Sequence, residues 1–350
     1  MKLNIPKYNP RTHYLRVADS QYFRELTKLR HYIKIATDKY WSETQGAYNV
    51  DLFMITPSIS SPMGPSSDSE AISIKFGDLK TFLVDSAQFG LEPVLMNGFD
   101  KVYCYLPSMR GENPDEKHLN QFYHCEAEIR GQIDDLIPLV EKYIKILVKT
   151  IKDLPDIVEK LALDDKATRT SIEAVLKAQK FPRITFDEAV GLLEENGFGR
   201  LVNYTKHGRD LKSNSEIILS QLLRYKTPFW IYGYDRDRVP FYQKPDPKDS
   251  EKVLNADLIF PPLFEGAFGG EIIGCGQRQD NKKEILESLF RQNISTDSYE
   301  WYIHLRDLAN YSGTSGFGLG IERFITWILG QNNIRDAILY PRLKNIRTYP

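Results

Sequence analysis

Apolar residues recur at helical spacing between positions 21 and 42, through Phe23, Leu26, Leu29, Ile33, Ile35 and Ala36. Steps of three and four lay such side chains along one helix face, so the spacing predicts a helix there. Val50-Asp51-Leu52-Phe53-Met54-Ile55-Thr56-Pro57 follows as an extended run that the proline ends. A second helical pattern spans 131–162, through Ile133, Leu136, Ile137, Val140, Ile144, Leu147, Val148 and Ile151, and predicts one long helix. Further helices are expected at 187–196, with Thr185 as a cap, at 281–291 and at 297–309. Shorter apolar runs at 82–84, 101–106, 121–129, 228–234, 256–260 and 270–275 predict strands. Ser58 to Glu70, rich in Ser, Pro and Gly, reads as a mobile loop, and the charged stretch from Asp235 to Lys252 reads as a surface loop. Strands gather around a few long helices without regular strand–helix alternation, which predicts an antiparallel sheet in one α+β domain covering 1–350, with a helical region at 130–225.

Composition narrows the class. The 350 residues carry 46 Lys+Arg against 47 Asp+Glu, a net charge of −1, so no basic excess points to a nucleic-acid partner. Cys104, Cys125 and Cys275 have neither paired nor metal-ligand spacing, which fits a reducing compartment. The N-terminal residues lack an apolar signal core, and no apolar run approaches the roughly 20 residues of a membrane span. A cytoplasmic protein without a membrane partner is expected.

Two segments carry chemistry. Gly316-Phe317-Gly318-Leu319-Gly320-Ile321-Glu322-Arg323 places glycines at every second position and then an acid–base pair. Glycines on a strand let a flat group approach the backbone, and an arginine at the next helix start can lie over it as a planar cation. The second segment is Arg110-Gly-Glu112, continued by Lys117-His118-Leu119-Asn120-Gln121-Phe122. Together they resemble motifs three and two of class II aminoacyl-tRNA synthetases, in particular the catalytic domain of asparaginyl- and aspartyl-tRNA synthetases and the archaeal asparagine synthetase related to them. The helix, strand and proline of residues 21–57 resemble motif one, which makes the homodimer interface in that family. The resemblance implies the class II fold, an antiparallel sheet flanked by helices, and covers the chain from about residue 14 to its end.

The resemblance also implies roles. Arg110 would grip the α-phosphate and the substrate carboxylate, and Glu112 would accept from the adenine amino group. His118 would sit near the terminal phosphates. Phe122 would stack under the adenine and Arg323 would cover it from above, with Gly320 also in the ATP site. Asp257 and Glu271 match the acidic positions that hold Mg²⁺ and ATP, and hard carboxylate oxygens suit that cation. Arg278 would bind the side-chain oxygen of aspartate or asparagine through its fork of donors. Ser86 and Gln88, in a Ser-x-Gln strand, would face the α-amino group, and Glu70 resembles the acid of a loop that closes on the same amine. Glu126 follows the asparaginyl pattern, as does Leu91, and Glu128 on the same strand resembles an acidic partner. Arg110, Glu271 and Arg323 would carry catalysis by positioning and electrostatics.

Several positions depart from the family's pattern. Gln121 replaces a glutamate, Lys117 an arginine, and Thr314 stands where histidine is common. Motif one is reached by residue 57, which leaves no room for the anticodon-binding OB-fold and implies that no tRNA is charged. The expected function is ATP-dependent adenylation of aspartate or asparagine and amide formation with a non-tRNA amine. Aspartate plus ammonia giving asparagine, AMP and pyrophosphate leads. Asparaginyl transfer to another small amine, and a non-catalytic module that binds amino acid or tRNA, are the alternatives.

Overall fold

The computed structural model describes residues 2–62, 64, 65, 67, 69–212 and 214–349, so Met63, Ser66 and Asp68 of the loop read at 58–70 lie outside the described residues. Eight strands form the main sheet: β1 (Tyr48–Asn49), β2 (Lys101–Met109), β3 (Gln121–Arg130), β4 (Arg183–Thr185), β5 (Phe229–Tyr232), β6 (Asn255–Phe260), β7 (Gly270–Gln277) and β8 (Thr314–Gly320). They lie in the order β1-β2-β3-β8-β7-β6-β5-β4. Antiparallel ladders join β2 through β5 across the centre. The edge pairs β1–β2 and β4–β5 are parallel, so the expected antiparallel sheet is mixed at its margins.

The period of two sorts the two faces of this sheet. Cys125, Ala127 and Ile129 of β3, Ala256, Leu258 and Phe260 of β6, and Phe317 and Leu319 of β8 join the main core. That face is covered by α1 (Gln21–Asp38) and α2 (Ile133–Lys152). Trp41 stacks on Phe317 at 5.3 Å, and Tyr143 of α2 tilts against the same ring at 6.0 Å. Leu26, Leu29 and Ile33 of α1 have no exposed surface. Each such side chain contributes about 1.5–3 kcal/mol, an upper range because unfolded chains already bury some surface. The alternate residues of the same strands face the other way, toward a cleft.

Local differences from the sequence reading have local causes. The helix expected over 131–162 is two helices, because Pro155 cannot donate to Ile151 and its ring would clash there; it opens a new helix, Pro155–Leu161. Thr185 does cap, accepting from Glu188 N–H while Glu188 returns the bond, but the helix Phe186–Glu195 begins directly after it. The 297–309 helix is only Glu300–His304 followed by a 3₁₀ turn. The region 130–225 also holds β4 and a hairpin of Val202–Thr205 with Gly208–Leu211. The charged 235–252 stretch is a 3₁₀ turn and a hairpin, tied down because Asp235 pairs with Arg209 and Lys252. No helix among the described residues is long and apolar enough to cross a membrane.

Candidate active site

The cleft side of the sheet holds a cavity of about 450 Å³, a volume typical of ligand pockets. Glycines pair along the two central strands beneath it: Gly274 lies opposite Gly318, and Gly276 opposite Gly316. Across the next ladder Gly316, Gly318 and Gly320 oppose Glu128, Glu126 and His124. Gly274 lines the cavity, as do Gly318 and Gly320 of the alternating run. Gly316 does something else. A Cβ there would fall inside the Glu128 carboxylate, so this glycine makes room for a neighbouring side chain and not for a ligand.

At one end lie Arg110, Glu112, His118, Phe122 and Arg323. The Arg110 guanidinium is 5.4 Å from the Phe122 ring centre. Arg110 Nε is buried with no hydrogen-bond partner among the described residues. A buried donor left unpaired favours an occupant that accepts. Arg323 starts α4 (Ile321–Ile328) and donates through Nη1 to the Glu271 carbonyl at 3.0 Å, with Glu271 Oε2 at 3.3 Å. His118 holds Asp115 through Nδ1 at 2.8 Å. Glu112 Oε2 accepts from the Glu70 amide at 3.3 Å.

Glu70 stands away from the amino-acid candidates. Its carboxylate pairs with Lys344 at 2.7 Å, its carbonyl accepts from Gly111 at 2.6 Å, and it does not line the cavity. The residue is anchored to the segment around Arg110, at the opposite end from the amino-acid candidates.

The other end gathers Ser86, Gln88, Glu126, Arg278 and Tyr242. Ser86 and Gln88 stand at a turn from a strand that ends at Leu83 into the helix Gln88–Met96, and not on a strand as expected. The turn is fixed by Glu126, which accepts from the Ser86 hydroxyl and, at 2.7 Å, from Ala87 N–H. Burial pushes the Glu126 carboxyl up, and these two hydrogen bonds oppose it. Arg278 donates through Nε and Nη2 to Glu128, and its guanidinium lies 5.2 Å from the Tyr242 ring centre. Nη1 makes no hydrogen bond among the described residues; it lies 3.4 Å from where a Cβ on Gly276 would be.

Three acids meet between these ends. Asp257 and Glu271 converge over Gly274, where a Cβ would meet Asp257 Oδ1 at 3.4 Å and Glu271 Oε1 at 3.5 Å. The third, Glu216 on α3 (Ser215–Leu222), accepts from Glu271 N–H at 2.8 Å. Gly270, at φ +115°, gives way to that carboxylate; a Cβ would lie 2.7 Å from it. Burial, then the charges of Glu271 and Glu216, hold Asp257 well above the usual carboxylate range. Burial and Glu271 push Glu216 up to about 7. A cation would relieve this crowding. No group of three or more His, Cys, Asp or Glu among the described residues closes on a metal by itself. A cation here would complete its shell with water and phosphate oxygens, as Mg²⁺ does.

Of the site residues read from the sequence, the cavity thus unites all but Glu70, Leu91 and Glu128. Sequence reasoning passed over Glu216, His124, Tyr242 and Gln243, all of which line it. For His124 a signal existed: it shares the two-residue period of Phe122 and Glu126. Tyr242 and Gln243 lie in the stretch read as a surface loop.

A family model described as tRNA synthetases class II (D, K and N) matches residues 7–344. An asparagine–tRNA ligase of Pyrococcus furiosus is 34% identical over 279 residues, 79% of this chain and 60% of that protein. One of Thermoplasma acidophilum is 32% identical over 330 residues, 92% of this chain and 70% of that protein. The crystal structure of asparaginyl-tRNA synthetase from Pyrococcus horikoshii complexed with asparaginyl-adenylate matches with a TM-score of 0.84 at 28% identity, over 99% of this chain and 76% of that one. The chain spans about 60% of the length of the Pyrococcus furiosus ligase.

Proposed function

Because the chain belongs to the class II tRNA synthetases (D, K and N), we propose that it activates the carboxylate of asparagine with ATP and passes the acyl group to an amine. Members of the family are ATP-dependent ligases that form an aminoacyl-adenylate and use ATP and Mg²⁺. ATP would lie with its base between Phe122 and Arg323 and its α-phosphate at Arg110. The asparagine carboxylate attacks the α-phosphorus, the bond to the bridging oxygen breaks, and pyrophosphate leaves. Asp257 and Glu271 would hold Mg²⁺, which neutralises charge on the departing pyrophosphate. Arg110 and Arg323 add positive charge where it develops on the α-phosphate.

One observation carries the choice of asparagine: Arg278, with a spare Nη1 donor, and Glu126, an acceptor, share the amino-acid end of the cavity. A donor beside an acceptor complements a primary amide, whose oxygen accepts and whose nitrogen donates. The near balance of charges, 46 basic against 47 acidic residues, supports a small amine over a polyanion as acceptor. Exposed Tyr48, Phe53 and Ile55 near the motif-one segment support a homodimer.

A second reading takes aspartate as substrate and ammonia as acceptor, giving asparagine. It draws on the raised carboxyl of Glu126, which when protonated donates to a carboxylate in place of repelling it. ATP–pyrophosphate exchange with asparagine and aspartate in parallel separates the two. Asparagine is expected to win by at least about tenfold, the factor that 1.4 kcal/mol supplies. Exchange with aspartate alone would replace the first reading by the second, and none with either would sink both.

A further inference from the structure

The adenylation step needs no base, because the attacking carboxylate is already an anion. The transfer step does: an amine that attacks the acyl carbon must lose a proton. His124 lines the cavity between its two ends. It lies on β3 between Phe122, at the nucleotide end, and Glu126, at the amino-acid end, and all three line the cavity. Its side chain is 13% exposed and packs edge-on against Phe122 at 4.7 Å. Nδ1 lies 2.9 Å from the hydroxyl of Ser108, a buried residue of β2 opposite Phe122. Glu126 Oε1 is 3.8 Å from the same nitrogen. Burial, then the guanidiniums of Arg110 and Arg323, hold the imidazole well below its ordinary value, so it is neutral at neutral pH. In the tautomer that donates Nδ1–H to the Ser108 hydroxyl, Nε2 is the bare nitrogen.

From this geometry we infer that His124 is a catalytic residue of acyl transfer, its Nε2 taking the proton from the attacking amine. The inference rests on the amine-transfer reading above. The nitrogen–carbon bond forms, the carbon–oxygen bond to AMP breaks, and AMP leaves with that electron pair. The proton on nitrogen passes to Nε2 and from there to water. A weak base suffices, because the nitrogen becomes strongly acidic as it bonds to the acyl carbon. Ser108 is a positioning residue that holds the imidazole ring in place.

The test separates the half-reactions in the full chain. Wild type is first assayed for pyrophosphate exchange, then for consumption of its preformed adenylate by ammonia and by hydroxylamine. H124Q is expected to slow transfer to ammonia by about 10²–10⁴-fold, the usual contribution of a positioned base. Its fall in exchange should be smaller by at least about tenfold. Hydroxylamine, uncharged at neutral pH and reactive without a base, should still trap the adenylate in H124Q. S108A should slow ammonia transfer less than H124Q. Equal falls in exchange and transfer, or ammonia transfer by H124Q at the wild-type rate, would overturn the assignment. A wild-type adenylate that no amine consumes would sink the transfer reading and this inference with it, and that result is visible before any variant is made.

Discussion

Arg278 with Glu128, and Arg306 with Glu92, are both arginine–glutamate pairs removed from solvent, every side chain being 5% exposed or less. Each guanidinium also lies over a tyrosine, Arg278 at 5.2 Å from Tyr242 and Arg306 at 3.9 Å from Tyr302. They differ in what is left over. Arg306 has partners on all three nitrogens: the Gln279 carbonyl on Nε, the Tyr302 carbonyl on Nη1, and Glu92 with the Tyr302 hydroxyl on Nη2. Arg278 gives Nε and Nη2 to Glu128 and keeps Nη1 toward the cavity. Burial does not separate the two; commitment of donors does. The committed pair also serves the other, since Arg306 fastens Gln279, the residue next to Arg278.

The largest expected effect breaks the committed pair. R306A leaves Glu92 buried beside Tyr311 without its cation, and should cost about 3–5 kcal/mol of stability, read from urea denaturation. R278A should cost less, because burial already pushes the Glu128 carboxyl up to about 7, so that it can take a proton once its cation is gone. Its pyrophosphate exchange should nonetheless fall about 100-fold or more, the range for losing a buried charged donor. If R278A lost as much stability as R306A and kept its exchange, the distinction between the pairs would be gone.

A committed acid shows itself through pH. Asp235 accepts from Arg209 Nε and Nη2 at 3.0 and 2.8 Å and from Lys252 at 2.7 Å. Burial alone would raise its carboxyl, but these bonds outweigh burial and hold it down at about 2, against an ordinary 3.8. The folded value lies below the unfolded one, so the stabilisation is present above about pH 4 and is lost as pH falls toward 2. The difference of about 1.8 pH units corresponds to about 2 kcal/mol. D235N should lose about that much at pH 7, and its deficit should shrink between pH 4 and 2 in denaturation series. Glu128 has the opposite sign, because there burial outweighs Arg278. A D235N deficit that stayed constant across this range would mean that Asp235 acts by packing and not by charge.

Much of this was legible in the chain. Arg110, Glu112, Glu271, Arg278 and Arg323 sit in short segments whose meaning is local, and all five line one cavity. The central strands were legible from apolar runs. The long helix was misread where one proline overrides a continuing apolar period, and 235–252 was misread because charges that look solvated are paired with Arg209, Arg291 and Glu287 across the fold. The partner of Glu70 was hidden for the same reason: Lys344 is 274 residues away. His124 was passed over although it shares the two-residue period of Phe122 and Glu126, because its role shows only once Ser108 and Arg110 are seen around it. What a sequence hides is which groups have already found partners.

The alternating glycines of β8 bring that point to its smallest test. Gly316 and Gly318 look alike in sequence and face the same side of the sheet. A methyl group on Gly316 would collide with the Glu128 carboxylate, whereas on Gly318 it would meet Glu126 at an ordinary 3.7 Å. G316A should therefore cost about 1–3 kcal/mol, as overpacking does, and should raise the KM for the amino acid by displacing Glu128 and with it Arg278. G318A should leave stability within about 0.5 kcal/mol and act only on substrate binding, because its methyl group projects into the cavity. Thermal denaturation of the two variants, with pyrophosphate exchange at varied amino-acid concentration, reads both effects. Equal losses of stability would mean that Gly316 is not there to admit Glu128, and that the orientation of Arg278 is set by Tyr242 and the β7 backbone instead.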